Sequence, residues 1–228
     1  MSPGVVKLFF FCGRRSDVTH EVYVDRLLGA HVPIALRHHP TLRRYTVNIV
    51  DESSPNSPPL DSIGELSFDS LVDYRERLYD SPEGERIVAR DVAGFLGSAT
   101  AYATTEIVQR TPPPARRGER SAGVKFVAAV RRAERLTHQA FVHGWLERHV
   151  RLVLADPTVR GYKTNVVDSC LAPDAPAYDG IAELYFDSTA DLEAHIRMSR
   201  DEQKPIRADI QGFVAEAVTY RCSEYVER

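Results

Sequence analysis

Two histidines close helical stripes of apolar residues, which makes them candidates for acid–base chemistry. Tyr23, Leu27 and His31 are spaced i, i+4, i+8, and Phe141, Trp145 and His149 repeat that spacing. Residues so spaced share one face of a helix. Both imidazoles should therefore point, with their apolar neighbours, at the core. A half-buried imidazole titrates near neutrality and suits general acid or base catalysis. The plainer alternative is a core histidine satisfied by a carbonyl or a carboxylate; recurrence of the stripe in both copies brings the functional reading close to even with it. Tyr45 and Tyr162, Asn48 and Asn165, and Tyr102 and Tyr220 fall on candidate strands. A phenol or amide there could hold an enolate or carbonyl oxygen; otherwise these are packed side chains with their polar ends tied up. Strand alternation sends Tyr45 and Asn48 to opposite faces of a sheet, so only one of them can line a helix-covered pocket. Glu65 and Glu183 sit among apolar strand neighbours and need buried partners. Lys7 and Lys125 can supply them, within a copy or crosswise as Lys7 with Glu183 and Lys125 with Glu65.

The remaining histidines read as less chemical. His20 and His138 follow helix-capping threonines and are expected to be exposed and neutral at the positive end of a helix. His38 and His39 lie near a helix end as dipole partners, and His143 and His195 read as surface residues unless a pocket takes them up. No phosphate-binding glycine loop, G-x-S-x-G, H-x-x-x-H or H-E-x-x-H occurs, and carboxylates do not cluster with histidines at metal-ligand spacing. The expectation is a site with no metal and no cofactor.

The elements that must position these residues occur twice. Val6-Lys7 recurs as Val124-Lys125, Thr19-His20 as Thr137-His138, and His31-Val32 as His149-Val150. Ile63–Ser70 matches Ile181–Ser188, and Asp91 and Phe95 match Asp209 and Phe213. One near-constant offset throughout marks a tandem duplication. The units are 1–110 and 121–228, joined by a Pro- and Arg-rich linker, 111–120, that reads as stiff and solvated. Each unit has the order β-α-β-β-α-β. In the first, strands are predicted at 5–12, 43–51, 63–68 and 98–108. Thr19 caps the first helix and Asp69-Ser70 the second. Ser81-Pro82 breaks and restarts the second helix, as Pro205 does after the Ser188 cap in the other copy. This is the ferredoxin-like split βαβ unit, with helices on one sheet face. The other face is also apolar, so the two sheets should pack on one another as a covalent homodimer.

Composition narrows the class. The 228 residues are 43% hydrophobic and 27% charged, with a net charge of −3. That leaves no basic footprint for nucleic acid, and no apolar run is long enough to span a membrane. Cys12, Cys170 and Cys222 are too scattered for a zinc cluster or a disulfide framework and suit a reducing compartment. The N-terminus lacks a signal-peptide cleavage pattern, so a cytoplasmic protein is expected.

The motifs together resemble the EthD domain family of the dimeric α+β barrel superfamily. The resemblance rests on Lys7; Tyr23, Leu27 and His31; Arg43-Arg44-Tyr45 with Asn48; Glu65 to Ser70; and Asp91 with Phe95. In the second copy it rests on Lys125; Phe141, Trp145 and His149; Arg160-Gly161-Tyr162 with Asn165; Glu183 to Ser188; and Asp209 with Phe213. It implies an α+β fold in which two ferredoxin-like βαββαβ units pack sheet to sheet as an intramolecular dimeric α+β barrel, a monomer as pseudo-dimer or a further homodimer. It implies a cofactor-independent lyase or cyclase acting on a small aromatic or polyketide-like substrate, with a cofactor-free monooxygenase or a non-catalytic binding protein as alternatives. His31, His149, Tyr45, Tyr162, Asn48 and Asn165 would be the catalytic candidates. Tyr23, Leu27, Phe141, Trp145, Tyr102 and Tyr220 would be the substrate-binding ones. Leu27 stands where the second copy has Trp145, so the first pocket is expected to be roomier and to be the active one.

Overall fold

The computed structural model describes residues 5–173 and 175–228. The first unit comprises β1 (Val6–Arg14), α1 (His20–Arg26), a π-helical turn (Leu27–His31), α2 (Val32–His38), β2 (Arg44–Ser53), β3 (Ser62–Phe68), α3 (Leu71–Glu76), α4 (Pro82–Ala93) and β4 (Leu96–Arg110). The second repeats it: β5 (Val124–Arg132), α5 (His138–Gly144), a π-helical turn (Trp145–His149), α6 (Val150–Leu154), β6 (Gly161–Cys170), β7 (Gly180–Phe186), α7 (Thr189–Arg200), α8 (Pro205–Phe213) and β8 (Val214–Val226). None of the helices described is long and apolar enough to cross a membrane.

The caps are those the sequence marks. Thr19, Ser70, Ser81, Thr137 and Ser188 each accept a hydrogen bond from a backbone N–H of the first turn, and Pro82 and Pro205 open their helices. Ser188 Oγ accepts from Asp191 N at 3.2 Å and donates to Asp191 Oδ2 at 2.6 Å, as Ser70 does with Asp73. Ser188→Ala should cost about 1 kcal/mol, which a thermal melt would read as a fall of roughly 2–4 °C.

All eight strands close into one antiparallel barrel in the order β1-β3-β2-β8-β5-β7-β6-β4. The units do more than stack. β2 pairs with β8 and β4 with β6, so each sheet edge is satisfied by the other copy. This explains why β4 runs past the predicted end at 108: its C-terminal half pairs with β6, a partner no local pattern announces, while its extension before 98 continues the pairing with β1. The linker, predicted as stiff and solvated, is exposed and tethered to β8. Gly118 N and Ser121 N bond to carbonyls of Val226 and Glu224, Arg120 Nε donates to Ser223 Oγ at 3.0 Å, and Arg117 and Arg120 bridge to β8.

Side chains on β1 alternate between two environments. Phe9 and Phe11 join the core inside the barrel and Lys7 lies fully buried there, whereas Leu8 and Phe10 pack beneath the helices. The interior is polar at its centre. Lys7 Nζ contacts Glu65 (2.7 Å), Glu106 (2.8 Å) and Glu183; Lys125 Nζ contacts Glu183 (2.8 Å), Glu224 (2.9 Å) and Glu65. The crosswise pairs anticipated from sequence thus form together with the within-copy ones. The carboxylates hold the Lys7 ammonium above its ordinary range, although burial alone would lower it.

Candidate active site

Each unit has a cavity between its helices and the outer face of its sheet. The π-helical turn aligns the stripe. At 3.6 residues per turn, successive i+4 residues drift around an α-helix. The wider turn at Leu27–His31 compensates for that drift, so Tyr23, Leu27, His31, Ala35 and His39 all reach one cavity of about 240 Å³.

His31 is anchored on both sides of its ring. Its Nδ1 lies 2.9 Å from Asp91 Oδ2 and its ring packs on Phe95 at 5.5 Å between centroids. The D-x-x-x-F motif, with Asp91 in the last turn of α4 and Phe95 just beyond it, therefore supplies both contacts. A carboxylate only accepts hydrogen bonds, so Nδ1 carries the proton and Nε2 keeps its lone pair. Burial lowers the imidazole pKa and the Asp91 hydrogen bond offsets this only in part, leaving a neutral base at pH 7. Tyr45 lines the same cavity, and its hydroxyl has no side-chain or backbone partner among the described residues. Burial pushes its phenol pKa up, so it remains a proton donor. Tyr23 OH is instead engaged with Ser62 Oγ at 2.7 Å. Cys12 also lines this space, and burial raises its thiol to about 12, which makes it a protonated bystander rather than a nucleophile.

The second cavity repeats the dyad and changes its surroundings. His149 Nδ1 lies 2.9 Å from Asp209 Oδ2, Arg148 binds the other oxygen of that carboxylate, and the imidazole packs on Phe213 at 5.0 Å. The histidine and arginine hold the Asp209 carboxyl below its ordinary range against the opposing effect of burial. Trp145 Nε1 donates to Tyr162 OH at 2.9 Å, and Phe141 packs against the indole. The indole lies so close to Gly180 that a Cβ there would come within 2.0 Å of the ring. The first copy has Ser62 at the corresponding place, bonded to Tyr23.

Trp145 fills the base of the second cavity as expected, yet that cavity is the larger, at about 320 Å³. The expectation that the first is roomier is thereby corrected. Ser54, Pro55 and Asn56 of the first unit line part of the second cavity, whereas no residue of the second unit lines the first.

The strand residues separate as alternation requires. Tyr45 and Tyr162 face the cavities. Asn48 and Asn165 face the barrel interior, where their Nδ2 atoms donate to Glu65 Oε1 at 2.7 Å and Glu183 Oε1 at 2.9 Å. Tyr102 and Tyr220 also lie inside the barrel. Their hydroxyls donate to the carbonyls of Pro176 and Pro58, so neither lines a helix-covered cavity. Two cavity histidines escaped the sequence reading. His39 lines the first, its Nδ1 donating to Leu78 O at 3.2 Å; it is the next i+4 member of the stripe. His195, read as a surface residue unless a pocket takes it up, is 6% exposed, lines the second cavity and lies 2.7 Å from Asp156 Oδ2. Its spacing from the buried Leu192 was the available signal. His20 and His138 are partly exposed, but each is held by a buried aspartate, Asp61 at 2.7 Å and Asp179 at 3.1 Å.

Residues 15–99 and 133–217 each match the EthD domain. No curated protein matches the sequence. Among solved structures, an anthrone oxidase-like protein superposes with a TM-score of 0.70 at 11% identity, covering 98% of this chain and 93% of the other. A candidate monooxygenase from Lactobacillus acidophilus NCFM gives 0.58 at 10% identity, covering 98% and 96%. One from Fusobacterium nucleatum gives 0.63 at 4% identity, covering 100% and 96%. At these identities the likeness is one of fold.

Proposed function

The chain belongs to the EthD domain family, and from that premise we propose that its first cavity is a cofactor-independent site for deprotonating a carbon acid, a small aromatic or polyketide-type carbonyl compound. The observation that carries this reading is the pairing of His31, anchored through Nδ1 by Asp91, with the unengaged phenol of Tyr45 in one apolar cavity. His31 Nε2 takes the proton from the carbon beside the carbonyl. Tyr45 donates to the oxygen on which charge develops, where a preorganised donor in an apolar site is most effective. The carbanion then closes a ring or loses water, which is the cyclase or dehydratase outcome. Alternatively it combines with dioxygen, the outcome suggested by the fold's likeness to anthrone oxidase-like and monooxygenase-type proteins.

Anthrone, a carbon acid with an aromatic frame, is the first probe. In deuterated buffer under argon, the wild-type protein should accelerate exchange of its methylene hydrogens, followed by NMR. Admitting oxygen then separates the two fates: quinone formation with oxygen uptake marks the oxygenase, and continued exchange without uptake marks the lyase. No acceleration with anthrone or a panel of aromatic ketones would reject the deprotonation reading.

The pH profile follows from the His31 shift. The base is active when neutral, so the rate should rise with pH through a pKa below the ordinary histidine value of about 6.5 and stay level through neutrality. Because the folded state disfavours the imidazolium, the stability tied to His31 is present above about pH 6.5 and is lost as pH falls through that window. A rate that instead climbs through pH 7–8 would assign the base to another group.

A further inference from the structure

We infer that the second cavity is a separate binding site for an organic carboxylate, with the anionic end held by Arg207 and Arg200 and the apolar body lying against Trp145. The two cavities differ in charge as well as volume. No Arg, Lys, Asp or Glu lines the first. Arg200 and Arg207 line the second, and no Asp or Glu lines it, since Asp156 and Asp209 sit behind the histidines they anchor. Among the described residues neither arginine forms an ion pair, and Arg207 Nε is a buried donor with no partner. A guanidinium is always charged, and one that lines a cavity without an acidic partner gains from an anionic acceptor placed there. Carboxylate geometry matches the guanidinium fork. Most of the remaining lining is apolar, including Val130, Phe126 and the indole of Trp145, so the anion that fits is attached to a hydrophobic body. This site is independent of the chemistry proposed for His31.

Trp145 is the single tryptophan of the chain, so emission excited at 295 nm reports on this cavity alone. Titration with 3-phenylpropionate should give a saturable change. Binding of 3-phenylpropionamide, the neutral isostere, should be about 10- to 100-fold weaker, as expected for losing a charge-assisted hydrogen bond. Arg207→Met should weaken carboxylate binding to a similar degree, with Arg207→Lys recovering part of it, and Arg200→Met should have a smaller effect. If Arg207→Met does not fold, the wild-type contrast between acid and amide, and its loss at high salt, decide the question. Equal affinity for acid and amide, no response to the arginine variants, or no saturable change would overturn the proposal. His31→Ala should leave this titration unchanged, so failure here is distinguishable from failure of the first-cavity reading.

Discussion

Replacement of Lys125 by methionine is expected to destabilise the protein by about 3–5 kcal/mol, the range for removing one partner of a buried ion pair. Lys125 is 2% exposed and touches three carboxylates, Glu65, Glu183 and Glu224. Those carboxylates hold its ammonium well above the ordinary range, although burial acts the other way. Glu183 is completely buried and is kept well below its usual range by Lys125 and Lys7, against the opposing effect of burial. Without Lys125, Glu183 retains Lys7, Asn165 and Tyr185 as neighbours. At about 2–4 °C per kcal/mol for a chain of this size, the melting temperature should fall by on the order of 10 °C.

The sign of the pH dependence gives a second check. In the wild type, the Glu183 contribution is present above its unfolded pKa and is lost as pH falls. In the variant, an under-compensated Glu183 becomes easier to protonate, which relieves the defect at low pH. The gap between the two melting curves should therefore narrow from pH 8 to pH 5. Lys204→Met, at an exposed position, serves as the control and should change little. A Lys125→Met loss below about 1 kcal/mol, or a gap independent of pH, would show that the network is not the lock between the two copies.

The second large effect is on turnover. His31→Ala should lower anthrone exchange by about 10²–10⁴-fold, as loss of a general base does, while His149→Ala leaves it nearly unchanged. Asp91→Asn tests the anchor. It removes the carboxylate that fixes the Nδ1–H tautomer and should reduce the rate with little change in KM. Tyr45→Phe, which deletes the oxyanion donor, should cost roughly 10²–10³-fold. Equal small losses for His31→Ala and His149→Ala, with matching falls in melting temperature, would mark both histidines as packing residues and place the chemistry elsewhere.

Much of this architecture is legible in the chain because it is encoded locally. The duplication, the βαββαβ order, the serine and threonine caps and the Pro82 and Pro205 restarts all depend on residues a few positions apart. So do the stripes that carry His31 and His149 and the opposite facing of Tyr45 and Asn48. The lysine–glutamate partners were also foreseeable, since a buried carboxylate on an apolar strand has few ways to be compensated.

What the tertiary structure alone decided is non-local. Pairing of β2 with β8 joins residues 167 to 180 positions apart and pairing of β4 with β6 residues 52 to 68 apart, so strand periodicity could not show that the units share one hydrogen-bonded barrel. Closure also decided which polar strand residues reach a cavity. Asn48, Tyr102 and their counterparts turn inward because the barrel wall, not the helix layer, receives their face. His195 entered a cavity because α7 packs over β5 and β7, and the second cavity takes in Ser54, Pro55 and Asn56 from the other copy. Cavity volume is set by what remains between packed elements, and no single element's sequence carries that quantity.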